Sequence, residues 1–122
     1  MSKRNDFVEY VVKDLLSELR GVTSRAMFGG YGLYKDGVIF GIVADDELYF
    51  KVGAANREKY EAAGSKPLTY DTKKRKNIVL SYWEVPADVM DDREAIAHWA
   101  EESYKISRKA QTKTRRRYTV RG

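Results

Sequence analysis

Cysteine is missing from all 122 residues, histidine occurs once and proline only twice. Without cysteine the chain has no disulfide scaffold, no thiol nucleophile and no zinc knuckle. With His98 alone, a transition-metal site would rest on carboxylates, and no metal-ligand spacing is visible; neither a metal nor a cofactor is expected. No run of about 18 apolar residues exists, which excludes a membrane-spanning helix and makes a membrane partner unexpected. The stretch from Met1 to Asp6 lacks the apolar segment of a secretory signal, so the expectation is a cytoplasmic protein.

Acidic residues are missing from one stretch. Residues 105–122 hold Lys105, Arg108, Lys109, Lys113, Arg115, Arg116, Arg117 and Arg121, and no Asp or Glu. The remaining 104 residues carry 15 basic against 18 acidic side chains, a net charge near −3. The overall +5 therefore describes the carboxyl-terminal segment more than the body. Low hydrophobicity with high charge predicts a disordered tail over 108–122, following one domain over 1–107.

What is present is a change of period along the chain. Phe7, Val11, Leu15 and Leu19 recur every four residues beside Val8, Val12 and Leu16, which predicts a long amino-terminal helix from Asp6 to Leu19. Short β-branched and aromatic runs follow at Thr23–Phe28, Gly32–Tyr34, Val38–Ala44 and Glu47–Val52. The turns between the later runs are Lys35-Asp36-Gly37 and Asp45-Asp46. A short helix over Ala54–Ala63 comes next, then strands near Leu68–Asp71 and Asn77–Val85. Pro86 ends the last strand, and Asp91 or Asp92 caps a final helix containing Ala95, Ile96, Trp99 and Ala100, whose pattern fades beyond Lys109. The expected fold is α+β: a meander of five or six antiparallel strands, packed by long terminal helices, with one short helix between strands.

Five of the nine glycines lie between Met27 and Val52. A dinucleotide-binding loop needs its glycines after a strand and at the start of a helix, where amides and dipole meet the phosphate. Here Gly29, Gly30 and Gly32 run into Leu33, Tyr34, a turn and another strand. No Gly-Lys-Ser/Thr follows, which excludes a P-loop. The cluster is read as sheet geometry: a bulge, a positive φ or a sharp bend.

The remaining chemical candidates are weak. Asp45, Asp46 and Glu47 read as turn formers ahead of a calcium site or an acid/base pair. Asp88, Asp91 and Asp92 suit a helix start. Lys73, Lys74, Arg75 and Lys76 form a solvated hairpin tip, with phosphate contact as the alternative. No catalytic residue is assigned and no enzyme is expected. The nucleic-acid candidates are Lys109, Lys113, Arg115, Arg116, Arg117 and Arg121, where charge combines with one aromatic, Tyr118.

Read in order, RAMFGGYGLY (Arg25–Tyr34), GIVA (Gly41–Ala44), LYFKV (Leu48–Val52), AAGS (Ala62–Ser65), PLTY (Pro67–Tyr70), SYWEVP (Ser81–Pro86) and the late Trp99-Ala100 resemble the amino-terminal domain of the TfoX/Sxy family. The resemblance covers roughly residues 6–106 and implies an α+β domain. It also implies a regulatory role, since the founding members are bacterial regulators of natural competence that act with the cyclic-AMP receptor protein at promoters of DNA-uptake genes. Those regulators carry a second, carboxyl-terminal domain, where this sequence has the basic segment. Two functions follow as expectations: a transcription-associated module whose basic arm contacts DNA or a DNA-bound regulator, and a protein–protein adaptor. A small-ligand sensor, with a pocket under a curved sheet, is a third.

Overall fold

The computed structural model describes residues 6–27 and 29–121, with side chains placed through Gln111. The chain opens with α1 (Asp6–Tyr10) and a π-helical segment (Val11–Leu15), in which the Leu16 amide donates to the Val11 carbonyl at 2.9 Å. Six strands follow: β1 (Val22–Met27), β2 (Gly30–Lys35), β3 (Val38–Ala44), β4 (Glu47–Lys51), β5 (Pro67–Tyr70) and β6 (Ile78–Glu84). Between β4 and β5 lies α2 (Arg57–Ala62); after β6 come α3 (Ala87–Met90) and α4 (Arg93–Arg121).

The α+β class and the antiparallel sheet match the expectation; the long amino-terminal helix does not. Its apolar stripe is real, since Val8, Val11, Leu15 and Leu16 are all buried. However, the adjacent β-branched Val11 and Val12 are poor α-helix formers, and the wide π turn swings both Leu15 and Leu16 into the core. Gly21, at φ +75°, then turns the chain into β1. At the other end α4 is long, and its backbone continues past the point where the apolar pattern fades. Lys, Arg, Gln and Ala sustain a helix without an apolar face.

The first four strands form the expected meander, but the whole sheet runs β1-β2-β3-β4-β6-β5. Helix α2 carries the chain back along the sheet, so β5 runs in the direction of β4 and β6 fills the gap between them. Two hairpins turn on consecutive positive φ values, Asp36-Gly37 (50° and 79°) and Asp45-Asp46 (50° and 60°). Such turns match the right-handed twist of the strands they join. A bulge in β3 leaves Phe40 as an extra residue between Ile39 and Gly41, and this puts Val38, Phe40 and Val43 all in the core.

The core lies between one face of the sheet and the helices. Phe40 and Phe50 meet at 5.8 Å between ring centroids, roofed by Ile96, Ala100 and Tyr104 of α4. Helix α4 crosses β3 and β4, and Tyr60 of α2 packs edge-on to Trp99 at 4.8 Å and to Trp83 at 6.4 Å. The Asp92 carboxylate caps α4 by accepting the Glu94 and Ala95 amides, settling the choice between Asp91 and Asp92. No helix among the described residues is long and apolar enough to cross a membrane.

Candidate functional site

The end of β4 is a junction. Its last carbonyl, on Lys51, accepts from the Ser103 hydroxyl of α4 at 2.7 Å and from the Asn56 side-chain amide at 3.2 Å. The Asn56 side-chain oxygen takes the Gly53 amide at 2.8 Å. Asn56 and Ser103 are both buried, so each polar group here is matched to a partner away from water. Tyr104 reaches Asp36 at 3.4 Å, and Ile106 sits against Gly53. These contacts fix which end of the sheet α4 passes before Arg108 and Lys109, both exposed, begin its basic part.

The β5–β6 hairpin leaves the domain at that same end. Lys51 is level with Tyr82, yet β6 begins four residues earlier at Ile78. The ribbon therefore overhangs β4 by about 13 Å. Its tip is tied by its own hydrogen bonds: the Thr72 amide donates to the Arg75 carbonyl at 2.7 Å, and the Asn77 amide to the Asp71 carboxylate at 2.8 Å. Lys73, Lys74, Arg75 and Lys76 are all exposed. Two basic segments that are far apart in the sequence thus share one end of the fold.

Of the six arm residues expected from sequence, Lys109 is exposed on α4. The backbone of Lys113, Arg115, Arg116, Arg117 and Arg121 belongs to the last turns of α4, and their side chains fall outside the described residues. The hairpin tip, read from sequence as solvated, gains weight from the overhang. Strand register set that overhang, and composition carries no sign of it.

A groove of about 700 Å³ runs between the overhanging ribbon and α2. Val79, Leu80 and Trp83 form one wall and Arg57, Glu58 and Glu61 the other. The Arg57 guanidinium lies 5.6 Å from the Trp83 ring centre and pairs with Glu61 at 3.1 Å. Val79 is 62% exposed, which is unusual for a valine within a strand. Nearby, Lys59 pairs with Glu102 and lies 4.2 Å from the Trp99 ring centre. His98 faces Glu102 at 3.7 Å on the exposed side of α4. Among the described residues no group of three or more His, Cys, Asp or Glu is placed to hold a metal. Of the acidic triple, Asp45 and Asp46 form the hairpin turn that composition indicates, and Glu47 begins β4.

The sheet face turned away from the helices is a second surface. Pairing across the strands sets Arg25, Gly32, Ile42, Tyr49 and Glu84 in one row. Beside it run Tyr34, Ile39, Lys51 and Tyr82. Arg25 lies 5.0 Å from the Tyr34 ring centre and Lys51 5.3 Å from that of Tyr82. Burial pushes the Tyr82 hydroxyl above its ordinary pKa, with neighbouring Tyr34 a lesser cause. Burial does the same to Tyr49, helped by Glu84, Glu47 and Asp45.

Fold and surfaces together define a small α+β domain with an open sheet, a groove and a cationic end. The model of the TfoX N-terminal domain matches residues 14–107, and the chain belongs to that family. No curated protein matches the sequence.

Proposed function

We propose that this TfoX-family protein is a transcription-associated regulatory or accessory protein, non-enzymatic, that works through contacts with DNA and a DNA-bound regulator. The observation that carries this reading is that two basic segments, residues 73–76 and the part of α4 from Arg108 onward, leave the domain at the same end, while the body is net negative. Cations grouped in this way neutralise phosphates and release counterions. Phosphate contacts position a protein without carrying sequence information, so we assign sequence choice to a partner of the cyclic-AMP receptor type. Residues 108–122 act as a separable arm, and the body over 1–107 docks the partner.

The exposed Val79 in the groove beside α2 favours an adaptor as the second reading. Affinity capture from the native host, with the full chain and with one ending at residue 107, separates the two. Recovery of a DNA-bound regulator that is lost on nuclease treatment and on truncation supports the first. Recovery of the same partner by both chains, unaffected by nuclease, supports the adaptor.

A further inference from the structure

We propose that the uncovered sheet face is a homodimer interface whose twofold axis runs along β3. The face has an apolar centre of Tyr34, Ile39, Ile42, Tyr49 and Tyr82, all half-buried, and the described helices pack on the opposite side. Its charges are few and separated. Arg25 stands at the β1 margin of the central row and Glu84 at the β6 end of the same row.

That layout chooses the occupant. A phosphate backbone needs an excess of cations. Here Arg25, Lys51 and Lys66, whose backbone pairs with Glu84, are balanced by Glu47, Glu84 and Asp45. A second copy turned about an axis along β3 inverts the strand order. Arg25 of each copy then meets Glu84 of the other, Ile42 meets Ile42 on the axis, and Lys51 meets the ring of Tyr34. The alternative twofold, across the strands, sets Arg25 on Arg25 and Glu84 on Glu84, and like charges so placed oppose association. Two sheets packed in this way form an aligned sandwich about 10 Å apart. Five strands about 20 Å long cover on the order of 500 Å² per copy, below the standard interface and in the class of weak, transient contacts.

Sedimentation velocity on the full chain, over two decades of concentration through the micromolar range, tests the proposal. The wild type shifts from monomer to dimer. Arg25→Glu and Glu84→Arg each weaken association at least about tenfold, and the double reversal restores it, because the charges are exchanged rather than lost. Circular dichroism checks that each variant is folded. As a second readout independent of the reversals, a short bis-maleimide joins copies of Ile42→Cys and leaves His98→Cys copies unlinked, the natural chain having no cysteine. A wild type that stays monomeric throughout overturns the proposal, as does association that both reversals leave unchanged. Photocrosslinking of single-stranded DNA to the tyrosines of a persistent monomer also overturns it, making nucleic acid the occupant.

Discussion

Gly30 of β2 lies directly against the Val43 carbonyl of β3, where a Cβ atom would overlap the oxygen. The glycine cluster is therefore sheet geometry, as its position between strands indicates, but the reason varies by residue. Gly29 has φ near +80°, whereas Gly30 is absent from the positive-φ positions and is required by close backbone approach.

The Gly30 contact carries a prediction. Gly30→Ala must push two paired strands apart, at a cost of about 1–3 kcal/mol, as overpacking does elsewhere. Gly37→Ala meets nothing within 4 Å and carries only the positive-φ strain, about 1 kcal/mol. Urea midpoints of the two variants rank them. Equal stability for Gly30→Ala and wild type would contradict the close-approach account.

Tyr60 gives a pH dependence. Its ring is fully buried, and burial raises its hydroxyl well above the ordinary tyrosine range. Ser103 is close, but its hydroxyl donates to the Lys51 carbonyl, and the Tyr60 hydroxyl has no hydrogen-bond partner among the described residues. The folded phenol is harder to ionise than the unfolded one. Stability is therefore full below about pH 10 and falls above it, by up to about 1.4 kcal/mol per pH unit for this proton. Tyr60→Phe reduces that alkaline loss and stays within about 1 kcal/mol of wild type at neutral pH, since the lost hydroxyl made no bond. Denaturant titrations at pH 7 and pH 11 provide the check.

Asn56 joins the end of β4 to the start of α2. Asn56→Ala leaves the Gly53 amide without its side-chain acceptor, for a loss of about 1–3 kcal/mol. Ser103→Ala costs less, because the Lys51 carbonyl keeps the Asn56 donor. Thermal melts of both variants test this order.

Elements specified by neighbouring residues were legible in the sequence. Asp36-Gly37 and Asp45-Asp46 marked their hairpins, Asp92 lay at its cap, and all six strands were found within two or three residues. Features decided by distant packing were not. The π turn at Val11–Leu15 keeps the apolar spacing of an α-helix while changing its winding. The placing of β6 between β4 and β5 depends on where α2 delivers the chain, and the short α3 lies between Pro86 and Asp92 without a stripe of its own. The cationic end follows from that placing. In the sequence, residues 73–76 read as a solvated tip and Lys109 as part of a separate nucleic-acid arm; strand register and the Ser103 contact bring the two segments to one end.

The most direct test of the cationic-end account is a DNA-binding titration at two salt concentrations, with two unrelated duplexes. It compares the full chain with one ending at residue 107. The account predicts that the full chain binds both duplexes alike, with log affinity falling against log salt at a slope of roughly −4 to −5, as expected for four to six neutralised phosphates. Truncation should remove most of this binding while the domain stays folded, since Ser107 is the last buried residue among those whose side chains are described. Tight, selective binding of one duplex by the truncated chain would contradict it, and would place the recognition surface on the body.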